Sequence, residues 1–380
     1  MRIAIVGQGY VGTSLGVAAL SAGHEVVGVE INNSRLHQLK QEVSYHITSD
    51  FDAANNQDVV IIAVPTPLDS TRQPDLTFLY SACRSLAKSL TKGTLIVNES
   101  TSYPGTLRNI IAPTVGNLHS YASAPERVDP GNKHWNIKNT PRLIAGLTES
   151  STQSAINFYK TFCSNVIPVS TPEVVEAAKL LENTFRQVNI ALVNEFSKIA
   201  HALNISAYEV VEAAATKPYG FMPFFPSVGV GGHCIPVDPI YLSYVANQLG
   251  TQSRFVELAD EINSSMPATV AKRIESILGG SLQKKRIQVV GIAYKADTND
   301  IRESPSIELI KLLRKMGADV IWHDPMIERF EHETSQEISI VDLGVVATSH
   351  SNIDYSLWRE EGIMVIDVSV DQNSSWVKLL

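Results

Sequence analysis

The sequence predicts an α/β protein of two doubly wound units joined by a long central helix and a helical middle region. Three observations carry this reading. Apolar runs alternate with helical stretches from residue 2 to about 123. From Pro172 to about Leu203 apolar residues recur at helical spacing, with no Gly and no further Pro. A second alternation restarts at Arg286. The expected bounds are 1–170, 171–280 and 281–380.

Residues 2–6 are an apolar run, read as a buried parallel strand. Gly7-Gln8-Gly9-Tyr10-Val11-Gly12 follows, then a helical pattern through Leu15, Ala18, Ala19 and Ala22, ended by Gly23. Glu25–Val29 is a second strand with Glu30 at its end. This is a dinucleotide fingerprint in its expected setting, giving a Rossmann-like first unit. Gly7 makes the tight turn, Gly9 lets a pyrophosphate approach, and Gly12 lets helix and strand pack closely. The helix N-terminus offers unpaired N–H groups to phosphate. Glu30 suits a ribose with a bare 2′-hydroxyl and repels a 2′-phosphate, so the expected cofactor is NAD. Without a ligand the same pattern would be an α/β turn.

Asp58–Val64 reads as a strand ending in Pro65-Thr66-Pro67. A helix from about Asp75 to Leu90 precedes a strand at 94–97, which leads to Glu99-Ser100-Thr101. Pro104-Gly105-Thr106 opens another helix. His119–Ser123 reads as a last short strand, ending in Ala124-Pro125-Glu126-Arg127. Thr66, Thr101 and Glu126 thus share the carboxyl ends of strands, where open α/β sheets bind ligands. Singly, each is as well explained as a cap or turn former.

The 172–203 stretch is one helix or two joined end to end, a candidate domain link and subunit interface. It carries Lys179 and Asn183 four apart on one face, a spacing that by itself reads first as a solvated face. A helix over 206–215 leads to Pro218–Pro226, too rich in aromatics and prolines for a free linker. Next comes Ser227-Val-Gly229-Val-Gly231-Gly232-His233-Cys234-Ile-Pro-Val237-Asp238-Pro239. A lone cysteine is most often a small buried hydrophobe. Cys234 differs in following three glycines and preceding a carboxylate by four residues, a setting suited to covalent work. Helical sequence from Ser253 to about Leu278 is interrupted by Pro267, and Gly279-Gly280 marks a boundary. Strands at 286–293, 319–322 and 363–367 form a smaller α/β unit without a glycine fingerprint.

Composition narrows the function classes. The 380 residues carry a formal net charge of −8, which argues against a general nucleic-acid binder. No apolar run approaches the roughly 18 residues of a membrane span, and the start goes straight into a strand with no signal-peptide pattern. Cys83, Cys163 and Cys234 are few and far apart, as expected in a reducing cytoplasm and without a metal site.

Together these motifs resemble the UDP-glucose/GDP-mannose dehydrogenase family, the nucleotide-sugar 6-dehydrogenases. The marks are Gly7-x-Gly9-Tyr10-Val11-Gly12, Val64-Pro65-Thr66-Pro67, Glu99-Ser100-Thr101, Pro125-Glu126-Arg127, Lys179-Leu-Leu-Glu-Asn183, Gly231-Gly232-His233-Cys234-Ile-Pro-Val-Asp238 and Arg302-Glu303-Ser304-Pro305. The lysine and cysteine motifs look most like members acting on UDP-N-acetylhexosamines. The resemblance implies a four-electron oxidation of a sugar CH₂OH to a carboxylate, with two NAD⁺ reduced in succession. It implies Cys234 as nucleophile, Lys179 and Asn183 as oxyanion donors, Asp238 and Glu126 as proton-handling or water-orienting groups, and Thr101 positioning a hydroxyl or water. Cofactor contacts are implied at Gly7, Gly9, Tyr10, Val11, Gly12, Glu30, Val64, Pro65, Thr66, Pro67, Ser100, Thr101 and Arg302. Substrate contacts are implied at Glu126, Arg127, Lys179, Asn183, Phe225, Gly229, Gly231, Gly232 and Lys295. The C-terminal unit would bind the UDP moiety, and the long helix would support a homodimer.

There are departures from the pattern. The segment 31–57 is short and contains no glycine. The second acid common after Glu126 has Asp129 as its nearest counterpart. His233 and Val237 stand where relatives acting on UDP-glucose carry Tyr and Lys, which favours an N-acetylated sugar. UDP-glucose or GDP-mannose as substrate, a two-electron hydroxy-acid dehydrogenase, and an NAD-sensing binding protein remain as competing readings.

Overall fold

The computed structural model describes residues 1–128, 132, 134–370 and 376–380. The chain forms two compact units: Met1–Glu182 with Ile240–Thr251, and Asn183–Pro239 with Gln252–Leu380.

The first unit is a sheet flanked by helices. In chain order its elements are β1 (Arg2–Val6), α1 (Tyr10–Ser21), β2 (Glu25–Val29), α2 (Asn33–Glu42), β3 (His46–Thr48), β4 (Val59–Ile62), α3 (Thr77–Ser89), β5 (Leu95–Asn98), α4 (Ala112–Val115), β6 (Ser120–Ser123), β7 (Arg142–Gly146), α5 (Glu149–Tyr159) and β8 (Val166–Pro168). A π-helical turn, Leu107–Ile111, runs directly into α4. The strand order is β3-β2-β1-β4-β5-β6-β7-β8. All neighbours run parallel except β6 and β7. Because β1 is flanked by β2 and β4, the topological switch lies at the carboxyl ends of β1 and β4, where such sheets bind ligands. The strands are apolar on both faces: every residue of β4 and β5 is buried, as expected with helices on each side.

One expectation changes here. Ser120–Ser123 is not the last strand, since β7 pairs antiparallel with it and β8 extends the sheet. Neither β7 nor β8 stands out in sequence, because each is short: β7 has five residues, the first of them Arg142, and β8 has three. The glycine-free segment after Glu30 forms α2, capped by the Asn32 side chain, and the edge strand β3.

The helix α6 (Pro172–Ala202) is single and continuous. The second unit then contains α7 (Ala207–Ala215), the start of α8 (Asp238–Gln248), α9 (Arg254–Ile277), β9 (Arg286–Val290), α10 (Pro305–Lys315), β10 (Asp319–His323), a small hairpin of β11 (Arg329–Phe330) and β12 (Glu333–Thr334), β13 (Leu343–Val346), α11 (Ser356–Glu360), β14 (Val365–Asp367) and β15 (Val377–Lys378). Its sheet runs β10-β9-β13-β14-β15, all parallel. α9 passes through Pro267 without ending, since Met266, Val270 and Ile274 around it are fully buried in the core with Val289, Leu309, Leu313 and Trp322. Burial of that face outweighs the missing backbone hydrogen bond. Gly279 and Gly280 then adopt left-handed φ values of +88° and +86°, ending the helix.

Candidate active site

The glycine turn after β1 has the contacts a dinucleotide demands. A Cβ on Gly12 would stand 1.9 Å from the Gly7 carbonyl oxygen, so helix and turn touch backbone to backbone. A Cβ on Gly9 would meet nothing within 4 Å. The open side of the turn is therefore available to a phosphate, facing the first turn of α1. Glu30 accepts a hydrogen bond from Gln8 N at 3.0 Å and another from Asn32 N at 2.8 Å. Its carboxylate is thereby fixed at the end of β2, beside the turn. Gln8 itself is fully buried, donating to the Ile5 carbonyl and accepting from the Tyr45 hydroxyl. At the end of β4, Ser100 Oγ accepts from Val64 N and donates to the Val64 carbonyl. The Tyr241 hydroxyl donates to the Thr66 carbonyl at 3.0 Å. The residues present fit NAD.

Lys179 and Glu126 come together in the same unit. The Lys179 ammonium donates to the Glu126 carbonyl oxygen at 2.5 Å, and Glu126 is buried. Spacing alone had made Lys179 a surface residue; the structure turns it onto the strand-end loop after β6. Arg127 is ion-paired with Glu182 at 2.7 Å and donates to the Pro141 carbonyl at 2.8 Å. Asp129 lies outside the described residues.

Directly behind this loop is a polar core that the sequence reading missed. Arg142, from β7, donates to Glu99 Oε1 at 2.5 Å and to the Ala124 carbonyl at 2.9 Å. The Tyr159 hydroxyl donates to the same carboxylate, and the guanidinium lies over the Tyr159 ring at 4.8 Å. Burial pushes the Glu99 carboxyl up, with Arg142 pulling the other way. Burial likewise opposes charge on Arg142, but the Glu99 carboxylate facing it holds the guanidinium protonated. The network pins the ends of β5 and β6, from which Thr101 and Glu126 extend. Only Glu99 carried a signal, as part of a motif; Arg142 and Tyr159 come from elements the pattern did not mark.

In the second unit the Asn183 amide donates to Asp238 Oδ2 at 2.6 Å, and both residues are buried. Cys234 is exposed, whereas Cys83 and Cys163 are buried. Burial pushes the Cys83 thiol up to about 12, and raises Cys163 as well. The Cys234 carbonyl accepts from Val237 N and Asp238 N, closing the turn that starts α8. Phe225 is buried and stacks on Tyr208 at 5.4 Å. His233 is held below the usual imidazole range by burial and by Arg302.

The loop after β9 occupies the switch point of the second sheet. Asp324 Oδ2 accepts from Ile292 N at 2.8 Å and Ala293 N at 2.9 Å, and faces His350 Nε2 at 3.2 Å. This buried carboxylate anchors the segment that leads to Lys295. Arg302 grips Asp300 through two nitrogens, at 2.9 and 2.5 Å. The candidate set is thus divided: Gly7–Gly12, Glu30, Thr101, Glu126 and Lys179 in the first unit, Asn183, Cys234, Asp238, Lys295 and Arg302 in the second. Among the described residues no cluster of His, Cys, Asp and Glu could hold a metal ion.

Comparison with known proteins agrees with this layout. Residues 41–163 match the NAD binding domain of the UDP-glucose/GDP-mannose dehydrogenase family, residues 173–265 its central domain, and residues 288–371 its UDP binding domain. A UDP-N-acetyl-D-mannosamine dehydrogenase of Pyrococcus horikoshii is 32% identical over 95% of this chain and 92% of its own length. A UDP-N-acetyl-D-glucosamine 6-dehydrogenase of Salmonella typhi is 31% identical over 92% of this chain and 88% of its own. The solved UDP-D-ManNAc dehydrogenase structure from Pyrococcus horikoshii superimposes with a TM-score of 0.88 at 29% identity, covering 100% of this chain and 98% of that one. With fold, glycine turn and three successive domains in agreement, the chain belongs to the UDP-glucose/GDP-mannose dehydrogenase family of NAD-dependent oxidoreductases.

Proposed function

We propose that the protein oxidises the C6 hydroxymethyl group of a UDP-N-acetylhexosamine to the carboxylate, through a covalent adduct on Cys234. The observation that carries this is the exposure of Cys234 after a glycine run, beside a buried Asn183–Asp238 pair, while the other two cysteines are buried. Relatives named for both UDP-N-acetylmannosamine and UDP-N-acetylglucosamine support the substrate class.

Gly7–Gly12 and Glu30 would hold the cofactor, and two NAD⁺ bound in succession would supply the hydride acceptors, one for the alcohol and one for the covalent adduct. The first oxidation releases a proton, for which Glu126 and a water at Thr101 are the assigned acceptors. The resulting aldehyde has no hydride to give until a nucleophile adds. The Cys234 thiolate forms the C–S bond, giving a thiohemiacetal whose oxyanion is held by the Lys179 ammonium and the Asn183 amide. Loss of the second hydride leaves a thioester. Water, oriented by Asp238, adds to it and breaks the C–S bond, releasing the carboxylate and regenerating the thiol. Gly229, Gly231, Gly232 and Phe225 are assigned to the sugar, Lys295 to the diphosphate, and Arg302 to the cofactor side.

The proposal assigns residues 1–170 to the cofactor, 171–280 to dimerisation and catalysis, and 281–380 to the UDP moiety. It takes the protein to be a homodimer in the cytoplasm. The dimer is supported by a stripe of exposed apolar residues on α6, namely Leu181, Phe185, Leu192 and Ile199. Among the described residues no helix is long and apolar enough to cross a membrane. A panel of UDP-N-acetylglucosamine, UDP-N-acetylmannosamine, UDP-glucose and GDP-mannose with NADH readout tests the substrate class. The expected result is turnover on an N-acetylated sugar at a kcat/KM at least about tenfold above UDP-glucose. Preference for UDP-glucose or GDP-mannose contradicts it.

A further inference from the structure

We propose that Tyr294 is a positioning residue for Cys234: its side chain is the seat on which the glycine run before the thiol rests. The inference builds on the reading of Cys234 as nucleophile. A segment such as Val228–Gly232 has few side chains of its own to fix it, so its path must be set by what it lies against. A Cβ built on Gly231 would stand 2.7 Å from Tyr294 Cβ and 3.0 Å from the Glu303 carbonyl oxygen. A Cβ built on Gly232 would stand 2.7 Å from Cε2 of the same ring. Two successive α-carbons are thus in van der Waals contact with one tyrosine, and only glycine fits at either place.

The seat is itself rooted in the second sheet. Tyr294 follows Ala293, whose N–H is held by the buried Asp324 carboxylate and whose carbonyl accepts from the Thr348 hydroxyl at 2.7 Å. Tyr294 N donates to the Asp300 carbonyl at 2.9 Å, closing the loop on itself. Gly232 N donates to the Arg302 carbonyl at 2.9 Å, tying the glycine run to the far end of that loop. On its other side the Cys234 carbonyl is held by Val237 N and Asp238 N. Only His233 lies between the seated glycine and this turn. The backbone that carries the thiol is therefore held on both sides, at Gly232 by the Tyr294 ring and at the Cys234 carbonyl by the start of α8. Lys295, assigned to the diphosphate, is the next residue, so the substrate's nucleotide and the nucleophile share one support.

The test uses the full-length protein and two readouts. Cys234 is the exposed cysteine and Cys83 and Cys163 are buried, so iodoacetamide labelling followed by peptide mass spectrometry reports the local setting of one thiol. In Tyr294→Ala the Cys234 labelling rate is expected to change by roughly fivefold or more. Its kcat is expected to fall at least about tenfold with the KM for NAD within about twofold of wild type, and Tyr294→Phe is expected to restore both. Gly231→Ala, which presses on the seat from above, is expected to alter labelling in the same way if Tyr294→Ala does not fold. A folded Tyr294→Ala, or Gly231→Ala in its place, with labelling and kcat within about twofold of wild type overturns the inference. So does a Phe variant as impaired as the Ala one. Labelling needs no turnover: a wild-type protein that reduces no NAD on any sugar nucleotide contradicts the proposed function, while the labelling comparison still decides the role of Tyr294.

Discussion

At the scale of single residues, environment separates three cysteines that composition treats alike. Cys83 and Cys163 are enclosed by the first sheet and its helices, and burial disfavours their thiolates. Cys234 stands exposed beyond a glycine run. Replacing it by serine exchanges a good nucleophile and leaving group for a poor one. Cys234→Ser is expected to lower steady-state NADH production by roughly 10²–10⁴-fold with unchanged cofactor affinity, measured by initial rates and NAD titration. A second prediction concerns Arg142. Removing one member of a buried ion pair leaves its partner charged and unmatched, so Arg142→Met is expected to cost about 3–5 kcal/mol in denaturant unfolding. Glu99→Gln in the same background is expected to recover part of that loss. Cys234 stands out in the sequence because its neighbours are unusual. Arg142 and Tyr159 were not, because what makes them matter is a partner 43 or 60 residues away.

At the scale of elements, the strands and helices that follow a clean period were readable: β1, β2, β4, β5, α1, α3, α6, α7 and α9. Short or interrupted ones were not, including β3, β7, β8 and β13. One element contact yields a pH prediction. Glu176 on α6 accepts hydrogen bonds from Gly105 N at 2.7 Å and Leu107 N at 3.0 Å, where the π-helical turn begins. Burial pushes its carboxyl up to about 8. Between about pH 4.5 and 8 the folded chain therefore holds a proton that the unfolded chain has released, so stability falls as pH rises through this window and levels off above it. The expected slope corresponds to a loss on the order of a few kcal/mol. Thermal unfolding from pH 5 to 9 checks this, with Glu176→Gln expected to flatten the dependence.

At the scale of the whole molecule, one chain carries two switch-point sheets with different loops at their carboxyl ends. The first offers open glycine and a fixed Glu30 carboxylate, the second an anchored loop with Lys295 and Arg302. The two sheets and their contrast were visible in the alternation of apolar runs and in the lone glycine fingerprint. The strand orders were not, because which strands neighbour one another depends on long-range pairing. For the proposed dimer, the exposed stripe on α6 predicts that Leu192→Arg shifts the equilibrium towards monomer, measured by light scattering after size exclusion at micromolar concentration; a wild-type protein that is already monomeric there contradicts the proposed dimer.

The central claim is that one thiol allows two successive oxidations of the same carbon. The most direct measurement is the yield of NADH per sugar nucleotide at limiting substrate, with the product identified by mass spectrometry. The account predicts two NADH and a uronate for each UDP-N-acetylhexosamine consumed. One NADH and a released aldehyde would contradict it.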